Sequence, residues 1–222
     1  MNELSLNQKI INRLILESYF IREIGLEDGK MGISIFFFVY GRYTNCDVYT
    51  TIGEELLDDV LNSLFEYLPI DFATGLCGIG WGIEYLLQND YIKGDTSIIF
   101  EDIDQRVMEV NLCSLKKFSK EATLGGIYLY VVSRVSDAIR NHIKIPFDKT
   151  YIDEIIKSNS IFISLPVSDW IKLFPLSLEI VLRKCIVTDE NYMELPLGLK
   201  NGLSGFLLDF IQKDNLKCNI AE

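Results

Sequence analysis

The chain has 222 residues, of which 49% are hydrophobic, and its 21 Lys and Arg against 32 Asp and Glu give a formal net charge of −11. This hydrophobic content supplies a core that offsets the entropy cost of ordering the chain, so it excludes intrinsic disorder. The negative charge argues against binding to nucleic acid or to anionic membranes, because both depend on basic patches. We therefore expect a globular protein with neither among its partners.

The five cysteines are widely spaced and include no Cys-x-x-Cys pair, the spacing typical of zinc knuckles and redox dithiols. The first residues show no signal-peptide pattern, and the longest uncharged apolar run, 33–40, is far shorter than the roughly 20 residues that cross a bilayer. No Walker, Gly-x-Ser-x-Gly or His-Glu-x-x-His motif occurs. The sequence predicts a cytoplasmic protein with buried thiols and no cofactor.

The first two predicted elements are amphipathic helices. Apolar residues recur with helical spacing over 10–24 and predict a helix of roughly five turns. A second helix is predicted to begin at a capping box formed by Thr51 and Glu54 and to end at Pro69.

Two more amphipathic helices follow. The third is predicted to be capped by Asp95, and the fourth to begin at Thr150. In the third, an apolar stripe over 99–110 predicts that one face is buried and that the charged side chains are solvated. These side chains are Glu101, Asp102, Asp104 and Arg106.

Four other segments are apolar on nearly every side, as buried helices are. They lie at 32–38, 78–87, 126–132 and 205–211. Their β-branched and aromatic residues also suit strands over 33–40 and 127–132. The recurrence of such a segment after each amphipathic helix favours helices.

The buried segments begin at Gly-x-x-Gly motifs, at 29–32, 75–78 and 202–205, with a degenerate copy at 123–126. The last glycines of the four lie 46, 48 and 79 residues apart, so the final step spans about two units. The missing unit is expected within 164–185, around Trp170. A two-helix period of this length predicts a helical array of about five hairpins.

If the inner helices run parallel, their N-termini gather at one opening with unpaired N–H groups and partial positive charge. Such an opening suits anions or peptide carbonyls. The alternative is that the glycines serve only packing. The side chains expected to line or approach the opening are Lys30, Thr74, Cys77, Trp81, Thr123, Lys200, Asn201 and Ser204.

Residues 75–81, Gly-Leu-Cys-Gly-Ile-Gly-Trp, and 199–205, Leu-Lys-Asn-Gly-Leu-Ser-Gly, resemble the repeat signature of the lanthionine synthetase C-like family. The resemblance implies an all-α fold, with a single α/α toroid domain over 1–222. Because the chain is short for the family, we expect this toroid to be incomplete or compact. Cyclases of that family join cysteine thiols to dehydrated Ser or Thr in a precursor peptide.

Those cyclases hold a zinc ion with two Cys and one His, in Trp-Cys-x-Gly and Cys-His-Gly motifs. At the second motif this chain has Lys200-Asn201-Gly202, and the first motif is absent. Its one histidine, His142, is expected at the far end of an inner helix. The resemblance therefore implies a member without a metal, noncatalytic or divergent, that binds a peptide or partner enzyme in a bacterial peptide-modification pathway.

Other interpretations stay open. A carbohydrate-active enzyme on this scaffold would use a pair of carboxylates, Glu84 and Asp71. In the structural alternative, Glu84 pairs with a Lys or Arg and Asp71 caps a helix. Cys77 is either a thiolate favoured by the helix dipole or a packing residue. Trp81 and the tyrosines of the inner helices belong either to the core or to a ligand site. A purely structural subunit is a third function.

Overall fold

The computed structural model describes residues 4–64, 67–94, 97–117, 121–158, 166–167, 176–183 and 185–220. All regular secondary structure within these ranges is helical, which confirms the all-α prediction. The helices are α1 (Leu6–Glu17), α2 (Lys30–Thr44), α3 (Asp47–Asn62), α4 (Leu76–Gln88), α5 (Ser97–Met108), α6 (Leu112–Lys117), α7 (Glu121–Arg140), α8 (Lys149–Ser158) and α9 (Leu203–Ile220). None of the helices in the described ranges combines the length and the apolarity that crossing a bilayer requires.

The chain divides into two compact units. One comprises Met1–Tyr67 with Leu178–Glu222, and the other comprises Leu68–Ser177. The first contains α1, α2, α3 and α9, and the second contains α4 to α8.

In the first unit, α2 packs against α3 and α9, and α9 also contacts α1. The side chains of α2 are buried without interruption over residues 30–38. Ser34, a polar side chain in this run, donates a hydrogen bond from Oγ to the Gly53 carbonyl of α3 at 2.7 Å. The prediction of a buried helix here is confirmed, and the strand alternative for 33–40 is wrong.

Three predicted boundaries in this unit are wrong. The first helix ends at Glu17 and continues only as a 3₁₀ turn, Ser18–Phe20, because the chain then extends toward the next buried helix. Helix α3 begins at Asp47, so Thr51 lies inside it and forms no capping box. The same helix ends at Asn62, well before Pro69.

In the second unit, α4 packs against α5 and α7, and α6 packs against α7 and α8. Every residue of α4 over 76–86 is buried. Residues 127–132 lie within α7, so here too the strand alternative is wrong. Helix α8 begins one residue before Thr150, which confirms the fourth amphipathic helix.

In the second half of the chain, one predicted helix start is wrong, and other predictions fall on residues that the structure does not describe. The degenerate motif at 123–126 does not begin a helix, because α7 has already started at Glu121. The predicted cap Asp95 lies outside the described residues, as do Trp170 and half of the segment 164–185 in which a further repeat is expected.

Candidate functional site

Three of the buried helices begin in loops that share one hydrogen-bond pattern. In each, the N–H of the first helical residue donates to the carbonyl seven positions earlier, at 2.9 Å. The three bonds are Lys30 to Glu23, Leu76 to Pro69, and Leu203 to Pro196. We call these segments, 23–29, 69–75 and 196–202, the glycine loops. Their shared geometry confirms that the Gly-x-x-Gly motifs mark a repeated structural unit at three places.

Glycine is required in these loops because the chain folds back onto itself. Gly29 and Gly75 have nearly the same backbone angles, with φ of −117° and −111° and ψ of −174° and −168°. A Cβ on Gly75 would lie 2.2 Å from the Pro69 carbonyl oxygen, and one on Gly29 would lie 2.7 Å from that of Glu23. Neither backbone atom can move aside without breaking the loop.

The same loops remove the free N–H groups predicted at the helix starts. In α9, the N–H groups of Leu203, Ser204 and Gly205 donate to carbonyls of residues 196–198. The N–H groups of Lys30 and Met31 in α2, like that of residue 76 in α4, also donate to their own loops. The prediction of unpaired donors for an anion is therefore wrong for these six groups, since the polypeptide supplies their acceptors.

The first and last glycine loops contact each other within the first unit. The Glu27 carbonyl accepts hydrogen bonds from the N–H groups of Leu199 and Lys200, at 2.6 and 3.1 Å. The Leu199 side chain also packs against Gly32, where an added Cβ would approach it to 2.8 Å. The N-terminal and C-terminal repeats are thus direct neighbours.

Among the predicted ligand-binding residues of this unit, the two lysines already have partners in the chain. Lys30 is buried and forms an ion pair with Asp59. The Lys200 ammonium lies 2.6 Å from a carboxylate oxygen of Glu27 and keeps 41% of its side chain exposed. Asn201 is exposed and adopts a left-handed conformation with φ of 53°.

Two predicted residues of the second unit are polar and lie on different elements. Thr74 is exposed in its glycine loop, where its N–H donates to a carboxylate oxygen of Asp71 at 2.7 Å and its hydroxyl contacts the same carboxylate. Asp71 therefore stabilises the loop rather than capping α4 itself. Thr123 is half-buried in the first turn of α7.

The three remaining predicted residues are part of the core. Ser204 is fully buried, and its hydroxyl has no hydrogen-bond partner among the described residues. Cys77 is fully buried, and burial, together with the charge of Asp71, raises the pKa of its thiol. The expectation that the helix dipole favours the thiolate is therefore wrong, because desolvation dominates. Trp81 is 1% exposed and packs between Phe72 and Tyr85, with each ring centroid 5.7 Å away.

The residues present do not fit the zinc site of the cyclases that the sequence resembles. An ammonium and an amide, on Lys200 and Asn201, occupy the positions of thiolate and imidazole, and neither side chain is a zinc ligand of the required type. His142 is exposed just beyond the end of α7, as predicted. Over the part of the chain that the structure describes, no three His, Cys, Asp or Glu side chains are grouped as a metal site requires.

The second unit contains a buried ionic cluster, which we define as Glu84, Asp104, Arg134 and Tyr130. The Arg134 guanidinium lies 2.6 Å from a Glu84 oxygen and 2.9 Å from an Asp104 oxygen. The Tyr130 hydroxyl donates to Asp104 at 2.7 Å. The two carboxylate side chains are only 1% and 5% exposed. The prediction that Glu84 pairs with a Lys or Arg is confirmed, whereas the prediction that Asp104 is solvated is wrong.

Packing from three helices fixes this cluster. The Arg134 guanidinium stacks 4.0 Å from the centroid of the Phe100 ring on α5. On α4, Gly80 lets the Tyr130 ring approach so closely that a Cβ would lie 2.4 Å from it. Sequence reasoning missed the partner Arg134, although a charged residue between Val131–Val132 and Val135 is itself a signal of a buried ion pair.

Burial and charge shift the pKa values within the cluster. Burial raises the pKa of Glu84, and the hydrogen bond and charge of Arg134 oppose that shift only in part. The pKa of Tyr130 is also raised, by burial and by the neighbouring Asp104 carboxylate. Burial would lower the pKa of Arg134, but its bonds to Asp104 and Glu84 raise it overall, so the guanidinium stays charged.

A cleft of about 410 Å³ lies over this cluster, within the size range of small-ligand sites. The cleft leaves no local pattern in the sequence, because its walls come from α5, α7 and the loop before α8. The residues that line it are Ser97, Glu101, Asp104, Gln105, Met108, Arg134 and Pro146.

No family model matches the chain, and neither a curated protein nor a solved structure does. The fold and the site define the class only as an all-helical protein with internally repeated, glycine-led helices.

Proposed function

We propose that the chain is a lanthionine synthetase C-like α/α toroid that lacks zinc chemistry and binds a peptide or a partner enzyme in a bacterial peptide-modification pathway. One observation carries the proposal. Where the cyclases have a thiolate and an imidazole, this chain has Lys200, whose ammonium lies 2.6 Å from Glu27, and Asn201. A lysine ammonium carries three donors and no lone pair for a metal.

Two further observations support the toroid. The three glycine loops repeat one hydrogen-bond pattern, as copies of one structural unit would. The first and last of these loops, through Glu27 and Leu199, bond to each other, which is the relation expected of the terminal repeats of a ring.

The carbohydrate-active alternative has no comparable support. The two oxygens of Glu84 are bonded to Arg134 and Gln88, and the side chain is 1% exposed. Asp71 is bonded to Thr74. Neither carboxylate is therefore placed to protonate a glycosidic oxygen or to activate a water.

The proposal is tested by selecting binders from a displayed library of random peptides and measuring their affinity with and without a chelator. We expect enriched peptides whose affinity is unchanged by chelation. The Lys200→Gln variant should weaken binding, whereas Lys213→Gln, a control lysine that is also paired with a carboxylate, should not. The proposal fails if no peptide is enriched, or if the protein with added zinc accelerates thioether formation in a peptide that carries a cysteine and a dehydroalanine.

A further inference from the structure

The buried ionic cluster has an imbalance of charge. One guanidinium, that of Arg134, is shared by two carboxylates, those of Glu84 and Asp104, so the ionised cluster carries a net charge of about −1. Buried charge without a counter-charge is costly, and the two carboxylates are among the least exposed charged groups of the chain. The cluster therefore favours a second positive charge nearby.

The cleft is the route by which such a charge would arrive. Asp104 and Arg134 form part of its wall, so solvent and ligands reach the cluster on this side. Arg134 cannot attract an anion there, because its charge is already neutralised by two carboxylates at 2.6 and 2.9 Å.

The other lining residues add either negative charge or uncharged surface to the cleft. Glu101 lies one helical turn before Asp104 on the same face of α5, and its side chain is exposed. Gln105 adds an amide, and Met108 and Pro146 add apolar surface that would contact an alkyl chain. Among the described residues that line the cleft, none is a lysine.

We propose that this cleft binds an organic cation, the ammonium or guanidinium group of a basic peptide side chain, between Glu101 and Asp104. The peptide part of this inference rests on the proposed function, whereas the cation part rests on the cleft alone. The alkyl stem of a lysine or arginine would lie along Met108, and its charged end would offset the excess negative charge of the buried cluster.

To test this, the intact protein is titrated with three probes. They are a blocked Ala-Lys-Ala peptide, the same peptide with norleucine in place of lysine, and n-butylamine. Binding is followed by calorimetry. We expect the lysine peptide to bind in low salt and the norleucine peptide not to bind. Glu101→Gln should weaken the lysine peptide by about threefold, as expected for an exposed charge pair, whereas Glu109→Gln, exposed and outside the cleft lining, should not.

A second variant tests the position. Gln105 is exposed, so Gln105→Lys should leave the thermal unfolding midpoint unchanged while placing a competing ammonium in the cleft. We expect it to weaken the lysine peptide by at least about tenfold. Equal binding of the norleucine peptide, or unchanged affinity in Gln105→Lys, would overturn the cation site.

The outcomes separate this inference from the proposed function. Library peptides that bind equally well to Gln105→Lys would overturn the cleft as their site and leave peptide binding standing. Binding of n-butylamine that Gln105→Lys abolishes, with no peptide bound at all, would support the cation site and refute the peptide function.

Discussion

Replacing Arg134 by methionine tests the buried ionic cluster most severely. The substitution keeps an unbranched side chain on α7 but removes the cation that lies 2.6 Å from Glu84 and 2.9 Å from Asp104. Both carboxylates stay behind in sites where they are 1% and 5% exposed. Removing one partner of a buried ion pair typically costs about 3–5 kcal/mol, and loss of the contact with the Phe100 ring adds to this.

Urea unfolding at pH 7, followed by circular dichroism, measures this cost. We expect the free energy of unfolding of Arg134→Met to fall by about 3–5 kcal/mol, which is a large fraction of the stability of a typical domain. The matched control is Arg140→Met, on the same helix, where an exposed arginine bonded to Gln88 should cost less than about 0.5 kcal/mol.

Acidification supplies an internal check on the mechanism. Burial raises the pKa of Glu84, so acidification protonates this carboxyl and removes one of the two negative charges left without Arg134; the penalty should therefore shrink as the pH falls. A loss below about 1 kcal/mol at pH 7, or a loss that does not change with pH, would refute the buried-charge reasoning.

Three further predictions concern single sites. Gly75→Ala should lower the free energy of unfolding in urea by at least about 2 kcal/mol, because the added Cβ meets the loop backbone. The control Gly125→Ala, whose Cβ meets open space, should raise the free energy of unfolding by up to about 1 kcal/mol. Equal effects of the two substitutions would contradict the loop geometry. Burial raises the pKa of Glu84 in the folded state, so the free energy of unfolding of the unmodified protein, relative to that of Glu84→Gln, should fall as the pH rises above 4.5. A relative free energy of unfolding that rises with pH would contradict the raised pKa. Native N-ethylmaleimide labelling should spare Cys77 and modify the exposed Cys113; a labelled Cys77 argues against its burial.

The sequence predicts the buried helices well because their signal is local. A segment such as 33–38 has no polar face that could meet solvent, so only a buried position is consistent with it. The glycine loops are also visible in the sequence, since the close approach of backbone at Gly29 and Gly75 excludes every larger residue.

The sequence predicts the candidate site less well because its contacts are distant along the chain. Asp104 has the same kind of local sequence as its solvated neighbour Asp102. Its burial depends on the ion pair with Arg134, which lies 30 positions later in the chain. The free N–H groups at the helix starts were expected for a related reason. The sequence shows where the N–H donors arise, but not that each loop supplies an acceptor, the carbonyl that lies seven positions before the first helical residue.

The helix boundaries fail for a third reason. The apolar spacing over 10–24 continues past Glu17, but the chain there turns into the glycine loop instead of completing the helix. At Thr51 and Glu54 the residue types of a capping box occur in a helix interior, since α3 has already begun at Asp47. Residue type alone does not distinguish these cases.

The zinc content of the purified protein distinguishes this chain from the metal-dependent cyclases. The chain is equilibrated with zinc chloride, desalted, and assayed for metal per chain by mass spectrometry. Because Lys200 is paired with Glu27 and Asn201 lies beside it, we expect the protein to retain far less than one zinc per chain. One zinc retained per chain would contradict the claim that this protein works without the cyclase metal.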